Sequence, residues 1–515
     1  MYVEHALLGK TNDFRSASAR QIHFRHNFRA GINMKTSLTS TITLGGLLLG
    51  STAIFLGQFV SQPAATAIPG RGDGGTAVVG PDVIVGAIPD ISAYTPGTYN
   101  TISYAAYAFG TTSCNIGTAQ LQWQPNPSNL HPTIPQNLYR IKGGRFEQIG
   151  LSWCKHGFCA LQGTLCGTCT PAGGGCPTVL GIGCSDPYSS GLNGGQSDLK
   201  GRGPINAATG VFSGTYTDPA APTALPTSLR ERCMVARDDL NPALNAGALY
   251  FAECQYVHQQ DASAGNDNNN ASYRQVTVGA TWSTSTGYPL TLTGATFQQS
   301  AAIFAWKANT PGVSVTPYDV TGDGRFHVGY NATDNGNGTW HYEYAVHNLC
   351  SDRNGGSFSV PVPAGVTISN IGFKSPSYFN GEGYTNAAWT TSTAGNAITW
   401  SCEPNTNVNA NALRWSTTMN FRFDANIAPN ATLVNGSLGL WKAPTAGSPD
   451  AAITIAIKGP GTPVTAIPGD FDHDGDVDAT DLATLLGSWG TAAGDVNGDG
   501  TTDAADLAVL LGNWS

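Results

Sequence analysis

Alternation of apolar and polar residues is clearest in the second half of the chain. Between residues 340 and 347, large apolar side chains alternate with His341, Glu343 and His347, and residues 419–424 repeat the pattern. A period of two predicts strands with one face in a core and the other in solvent. Further short apolar runs, separated by Gly, Asn and Pro, lie at residues 357–362, 397–401, 438–441 and 453–457. Together these runs predict an immunoglobulin-like β-sandwich over residues 311–457.

The region before the predicted sandwich, residues 68–310, has a less regular pattern. Short apolar runs, such as residues 81–86 and 248–251, are separated by turn-rich segments, and helical periodicity is hard to find. Nine of the eleven cysteines of the chain lie here. The region is therefore predicted to be an irregular, disulfide-rich β domain.

The end of the chain changes to a helical period that occurs twice. Each copy places four large apolar residues at positions i, i+3, i+4 and i+7, which form one stripe along a helix. The two sets are Leu482, Leu485, Leu486, Trp489 and Leu507, Leu510, Leu511, Trp514. We expect the two stripes to pack on each other in a small shared core.

A twelve-residue loop rich in aspartate precedes each predicted helix, at residues 470–481 and 495–506. Ca²⁺ takes six to eight oxygen ligands, and a loop of this kind supplies them from positions 1, 3, 5, 7, 9 and 12, with a glycine at position 6 for the sharp turn. Gly475 and Gly500 stand at that position. The pattern predicts two bound Ca²⁺ ions. The candidate ligands are Asp470, Asp472, Asp474, Asp476, Asp478, Asp481, Asp495, Asn497, Asp499, Thr501, Asp503 and Asp506.

This duplicated loop and helix, residues 469–515, resembles the type I dockerin, a small all-α module with loops of the EF-hand type. The resemblance implies a calcium-dependent module that attaches secreted polysaccharide-degrading proteins to cohesin partners on scaffold proteins. It also implies that loop positions 10 and 11 help to choose the partner. Those positions hold Ala479 and Thr480 in the first loop, and Ala504 and Ala505 in the second.

The first 67 residues have the features of a leader with a secretory signal peptide at residues 34–67. Lys35 opens a basic region, residues 44–60 are apolar, and Ala65-Thr66-Ala67 provides a small-residue cleavage site. Cleavage is expected after Ala67. A membrane anchor is the alternative, but the apolar run is short and interrupted by glycines. The mature chain is therefore predicted to be extracellular, without a membrane span, and residues 458–468 form a Pro/Gly linker.

Charge adds two constraints. The formal net charge is −9 and only 11% of residues are charged. Ten aspartates and no Lys or Arg lie in residues 469–515. No basic patch indicates a nucleic-acid partner.

Dense cysteines outside the cell predict disulfides, and an odd number leaves at least one thiol unpaired. A four-residue hairpin loop would bring Cys154 and Cys159 together, and a second bridge could join Cys350 to Cys402 across the sandwich. A zinc site is the alternative for four cysteines of the first region, Cys166, Cys169, Cys176 and Cys184.

Other clusters have both a functional and a simpler interpretation. His156, on the predicted hairpin tip, could act as an acid, a base or a metal ligand near His131, or be an ordinary turn residue. Residues 266–270 are rich in Asn and could hold a cation, although Asn also favours turns. The polar residues of strand 340–347 could bind a metal or face solvent. Residues 319–324 begin like a calcium loop but are predicted to form a tight turn.

No local motif identifies a catalytic residue, so the sequence leaves enzyme activity open. Binding or structural work by the β domains is the first hypothesis, with exposed Trp389 or Trp415 as contacts for a polysaccharide. A glycoside hydrolase, acting on O-glycosyl bonds in polysaccharide catabolism, is the second. Hydrolysis of that kind generally requires two carboxyl groups. The candidates in residues 68–310 are Glu147 and Glu253, followed by Asp238 and Asp239.

Overall fold

The computed structural model describes residues 79–515, apart from residues 158, 379, 464–466 and 473–474. The predicted leader and its cleavage site lie outside these residues. The described chain is mainly β, as the sequence predicts. Within it, no helix is long and apolar enough to cross a membrane.

The strands fall into two groups along the chain. Those before residue 300 are β1 (Val83–Ala87), β2 (Ile91–Tyr99), β3 (Ile102–Phe109), β4 (Thr111–Asn115), β5 (Leu121–Gln122), β6 (Thr133–Ile134), β7 (Gln136–Lys142), β8 (Arg145–Leu151), β9 (Cys154–His156), β10 (Val179–Leu180), β11 (Ser185–Tyr188), β12 (Leu199–Lys200), β13 (Cys233–Ala236), β14 (Leu249–Gln255), β15 (Ala271–Val278) and β16 (Leu290–Phe297). Those after it are β17 (Ser314–Asp319), β18 (Arg325–Asp334), β19 (Trp340–Asn348), β20 (Gly355–Pro361), β21 (Ile368–Lys374), β22 (Thr390–Ser392), β23 (Ala397–Ser401), β24 (Thr417–Ala425), β25 (Val434–Leu440) and β26 (Ala452–Ile457).

The described helices are short. They are α1 (Ser190–Asn193), α2 (Arg237–Leu240), α3 (Gln259–Ser263), α4 (Ile303–Asn309), α5 (Ala479–Gly487) and α6 (Ala504–Gly512), with 3₁₀ turns at Gln196–Asp198 and Asp267–Asn269.

An eight-stranded antiparallel sheet, in the order β16-β15-β14-β7-β8-β13-β3-β2, organises the first group. Both faces of its central strands, β14, β7, β8 and β13, are buried. On one face, Tyr107 and Leu138 share a core with Val83 of the small sheet β1-β4-β11 and with Trp123. Such two-sided burial explains why its central strands do not show the alternation of apolar and polar residues that a half-exposed strand requires.

Two five-stranded antiparallel sheets form the second group, in the orders β17-β18-β19-β24-β21 and β22-β23-β20-β25-β26. Aromatic side chains from both sheets meet in one core, where Phe358 stacks on Phe421 with ring centroids 4.6 Å apart. The predicted strands of residues 340–347 and 419–424 are confirmed as β19 and β24. Residues 319–324 form the predicted tight turn between β17 and β18.

The expectation that β19 and β24 face solvent on one side is wrong. Glu343, His347 and Asn420 are buried although they alternate with the core residues. The reason is the other face of the eight-stranded sheet, whose Tyr139 and Phe146 share a core with Ala345 of β19. Asn420 donates a hydrogen bond to the carbonyl of Phe146 at 2.6 Å. Polar alternation in these strands therefore marks a second, hydrogen-bonded interface.

Candidate metal centre

The two predicted helices of the tail begin with the same capping arrangement. Asp478 precedes α5 and Asp503 precedes α6, and each side chain accepts a hydrogen bond from a backbone N–H of the first turn. In return, Asp481 and Asp506 at the third helical position each accept a hydrogen bond from the backbone N–H of the capping residue. Such a reciprocal pair satisfies N–H groups that would otherwise lack partners, and it fixes where each helix starts.

The first loop wraps around the carboxylate of Asp481. Its Oδ1 accepts hydrogen bonds from the N–H groups of Phe471 at 2.6 Å and Asp472 at 3.3 Å, and its Oδ2 accepts one from Asp478 at 2.9 Å. These N–H donors, Asp478 first, lower the pKa of Asp481, so the side chain is held as an anion. Position 12 of the loop is thus fixed to positions 2, 3 and 9.

Three carboxylates of this loop converge. Asp470, Asp472 and Asp481 each offer an oxygen, and these atoms all lie within 4.8 Å of one another. Oδ1 of Asp470 is buried and has no hydrogen-bond partner among the described residues. A buried carboxylate oxygen without a partner is costly unless a cation or donor approaches it. The arrangement therefore fits a hard cation, for which carboxylate oxygens are the preferred ligands.

The second loop has the same backbone frame. Asp506 accepts hydrogen bonds from the N–H groups of Val496 at 2.8 Å, Asn497 at 2.9 Å and Asp503 at 2.8 Å. Gly475 and Gly500, at position 6 of the two loops, have φ angles of +98° and +96°. This left-handed region is accessible at low cost to glycine, which explains the residue at both positions.

The remaining predicted ligands differ between the loops. In the second loop, Asp495 accepts hydrogen bonds from the N–H groups of Gly498 and Gly500, and Asp499 accepts one from Thr501. Among the described residues, these side chains do not reach the close grouping found in the first loop. Asp474 lies outside the described residues. Asp476 and Thr501 stand at position 7, where the backbone carbonyl is the ligand in loops of this type.

The helical stripes are only half buried, which corrects the prediction of a shared core from all eight residues. Leu485 and Leu510 are fully buried with Val477, and Leu482 and Leu507 pack against them. The remaining four side chains are between 45% and 52% exposed; they are Leu486, Trp489, Leu511 and Trp514. The helices end at Gly487 and Gly512, so both tryptophans lie beyond the helical stripe.

The sequence candidates for catalysis are structural. Glu253 is fully buried and accepts hydrogen bonds from Asn137, Tyr139 and the N–H of Ala302. Glu147 forms a 2.7 Å ion pair with Arg140. Asp239 also contacts Arg140, and Asp238 is exposed on α2. Trp389 and Trp415, which the sequence analysis expects at the surface, are each 4% exposed.

Three of the histidine candidates, His131, His156 and His347, are buried, and His341 is partly exposed. His156 lies in β9, between β6 and β12, and not on a hairpin tip. Its Nδ1 is 2.8 Å from Nε2 of His131, and burial lowers the pKa of His131 to about 4 and that of His156 to about 3. His341 contacts Asp424 and Glu343, and hydrogen bonding to Glu343 raises its pKa. His347 contacts Thr418 instead, so the polar residues of β19 do not converge on one point.

The side chains of the Asn-rich segment, residues 266–270, form hydrogen bonds within the protein. Asn266 donates to the carbonyls of Val79 and Pro81, and Asn270 donates to Asp261 at 2.7 Å. These contacts tie the segment to the start of β1 and to α3. They support its interpretation as a structural turn.

The predicted disulfides are wrong. All eleven cysteines lie in the described residues. The bridges are Cys114–Cys166, Cys159–Cys176 and Cys169–Cys184, and the free thiols are Cys154, Cys233, Cys254, Cys350 and Cys402. Cys154 is a buried free thiol in β9, and Cys159 is bridged to Cys176 instead. The four cysteines considered as zinc ligands all form disulfide bonds.

We expect alkylation of the denatured, unreduced protein to label five cysteines. Peptide mapping should recover the Cys159–Cys176 and Cys169–Cys184 pairs, whose loops of 17 and 15 residues each contribute about 3 kcal/mol by chain entropy. Reduction should therefore expose residues 159–184 to protease first. A peptide joining Cys154 to Cys159, or zinc bound in stoichiometric amount, would contradict this pairing.

Comparison with known proteins identifies no relative of this chain. No family model matches the chain, and no curated protein matches it.

Proposed function

We propose that the chain is a secreted modular protein whose C-terminal residues 469–515 form a dockerin-like module that binds two Ca²⁺ ions. In this proposal the module attaches the protein to an extracellular or cell-surface partner. The β regions, including an immunoglobulin-like sandwich at residues 311–457, do binding or structural work. The observation that carries the proposal is the convergence of Asp470, Asp472 and Asp481, with a buried carboxylate oxygen that lacks a partner.

Three disulfides support the extracellular part of the proposal. Disulfides form and persist in oxidising compartments and are rare in the cytosol. The bridges hold a loop-rich segment, residues 159–184, that contains few buried apolar residues. A segment of this composition depends on covalent links for its structure.

Exposed apolar side chains support the docking part. Leu486 and Trp489 after the first loop, and Leu511 and Trp514 after the second, are each about half exposed. Large apolar residues at such exposure are typical of protein interfaces, where tryptophan contributes much of the binding energy. We propose a cohesin-like protein as the partner of this surface, because the loop-and-helix duplication resembles the dockerin.

Calorimetric titration of the full chain with CaCl₂ tests the proposal. We expect two bound ions, tighter at the first loop because Asp472 supplies a charge where the second loop has Asn497. Asp470→Ala should remove one ion, and Asp495→Ala the other. Asp238→Ala, which removes an exposed carboxylate outside the loops, should leave both. Heat of binding that is unchanged by Asp470→Ala would refute the assignment.

The second hypothesis, hydrolysis of O-glycosyl bonds, has no support at Glu147 or Glu253, because both carboxylates are paired inside the protein.

A further inference from the structure

A small cavity lies where the first group of strands meets the second. Its volume is about 20 Å³, which is enough for one water molecule or one ion of similar size. We call it the junction cavity. Its lining includes three basic and two acidic side chains, which are Arg202, Arg414, Lys442, Asp352 and Glu382. The charges of these residues decide what can occupy it.

Positive charge in the lining is only partly balanced by ion pairs. Lys442 forms an ion pair with Asp352 at 2.8 Å. The guanidinium of Arg414 donates instead to two backbone carbonyls, and that of Arg202 donates to three backbone carbonyls and one amide oxygen. Both guanidinium groups therefore lack a carboxylate partner among the described residues. A cation held away from water without a counter-ion is costly.

Aromatic rings hold the guanidinium of Arg414 in place. It lies 3.5 Å from the ring centroid of Tyr384 and 4.9 Å from that of Trp441. Nε of Arg414 is buried and has no hydrogen-bond partner among the described residues. The guanidinium is planar, so stacking fixes the plane in which the N–H of Nε points. This donor therefore cannot turn towards solvent.

A second donor in the lining lacks an acceptor. Tyr378 is 4% exposed, and its hydroxyl lies near Thr417 but has no hydrogen bond of normal geometry within the described part of the chain. Burial raises the pKa of Tyr378, so the hydroxyl keeps its proton. Buried donors without acceptors are rare. Two of them in the lining of one cavity indicate an acceptor that occupies it.

Glu382 contributes a group whose charge depends on pH. It is 6% exposed, and its Oε1 accepts a hydrogen bond from the backbone N–H of Arg202 at 3.1 Å. Burial raises the pKa of Glu382 to about 7. Below that pH the neutral carboxyl can donate a hydrogen bond, and above it the carboxylate repels an anion.

The groups around Glu382 do not titrate near that pH. The charged groups that face it are Arg202, Arg414 and Asp218, the last paired with Lys200 at 3.2 Å. The neutral ones are Cys154, Tyr216, Tyr378 and Tyr384, whose pKa values are raised by burial. A change of charge in the cavity near pH 7 is therefore assigned to Glu382.

Two kinds of occupant match the volume of the junction cavity. A water molecule could accept from both donors and donate to Oδ1 of Asn354, which lines the cavity and has no partner among the described residues. Water would leave Arg202 and Arg414 without a counter-ion, whereas a small anion supplies one and also accepts from the donors. Phosphate and larger anions exceed the volume. The charge of the lining thus favours an anion of halide size.

We propose that the junction cavity binds one chloride ion, held by the hydroxyl of Tyr378 and Nε of Arg414. The ion supplies the negative charge that the two guanidinium groups lack. Glu382 in its protonated form donates a third hydrogen bond to it. Because Arg202 belongs to the first part of the chain and Arg414 to the second, bound chloride stabilises the contact between the two groups of strands.

Thermal unfolding of the full chain in chloride-free buffer, with calcium supplied as its gluconate salt, tests the proposal. Replacing sodium gluconate by NaCl at constant ionic strength should raise the midpoint of unfolding by about 2 °C, because gluconate is too large for the cavity. The rise should be larger below a pH of about 7 than above it, since the neutral form of Glu382 favours the anion.

Three variants separate the site from general effects of salt. Tyr378→Phe keeps the ring and removes one donor, so it should weaken chloride binding by about tenfold or more. Tyr273→Phe is the matched control, because Tyr273 is 3% exposed and does not line the cavity. Glu382→Gln keeps an acceptor for the N–H of Arg202 and adds a permanent donor. It should therefore keep the effect of chloride and lose the pH dependence of that effect.

Anomalous diffraction from crystals of the full chain grown in NaBr locates the ion directly. We expect one bromide peak within hydrogen-bond distance of the Tyr378 hydroxyl and Nε of Arg414. Density in the cavity without an anomalous signal would identify a water molecule and overturn the proposal. Equal unfolding midpoints of the unmodified protein in NaCl and gluconate would do the same, as would equal effects of chloride on Tyr378→Phe and Tyr273→Phe.

Discussion

Replacing Arg202 by methionine should destabilise the protein by about 3–5 kcal/mol, the cost of leaving several buried polar groups without a partner. The guanidinium donates to the carbonyls of Ser152 at 2.7 Å, Ser416 at 3.0 Å and Gln136 at 3.1 Å. It also donates to Oδ1 of Asn137 at 3.0 Å. One side chain thus joins the first group of strands to the second.

Denaturant unfolding of the wild-type and Arg202→Met proteins measures the loss in free energy of unfolding. Lys307→Met is the control. Lys307 is exposed on α4, so its replacement also removes one positive charge but should change the free energy of unfolding by less than about 0.5 kcal/mol. Equal effects of the two substitutions would contradict the role given to Arg202. A second unfolding transition that appears only in Arg202→Met would show that the guanidinium couples the two groups of strands.

Some of this fold could be predicted from the sequence because the signal is local. The alternation in β19 and β24 reports a strand directly, whatever the strand packs against. The glycine at position 6 and the aspartate at position 12 of each loop likewise report a backbone conformation within twelve residues. Gly475 and Gly500 adopt the expected left-handed conformation, and Asp481 and Asp506 cap the helices.

Other features depend on contacts between segments that are distant in sequence, and no local sequence pattern indicates those contacts. Glu343 reads as a solvent-facing residue, but it is buried against Arg145 from the first group of strands, at 2.9 Å. The disulfides cross one another along the chain, so spacing alone favoured the wrong neighbours for Cys154 and Cys159. Consecutive backbone N–H groups, of Gly201 and Arg202, bind Asp218 and Glu382, which are far apart in sequence and belong to no motif. The raised pKa of Glu382 comes from burial, which a sequence does not display.

Removing calcium should unfold the last 47 residues while the β regions stay folded. The fully buried core of this tail consists of Val477, Leu485 and Leu510, which is too small to hold it alone. Ten aspartates repel one another there without any Lys or Arg to compensate. Each ion present at about 1,000 times its dissociation constant would stabilise the folded tail by about 4 kcal/mol, so metal binding and folding should be coupled.

Hydrogen exchange of the full chain, with CaCl₂ and with EGTA, measures this coupling. In EGTA, amides of α5 and α6 should exchange as fast as in an unfolded chain, whereas those of β20 should keep their protection. Asp470→Ala in the presence of calcium should loosen both helices, because Leu485 packs on Leu510 and neither helix has another core. Asp495→Ala is the matched change in the second loop. Equal protection of α5 and α6 in both buffers would show that the tail folds without metal, and the calcium loops would then be structural caps alone.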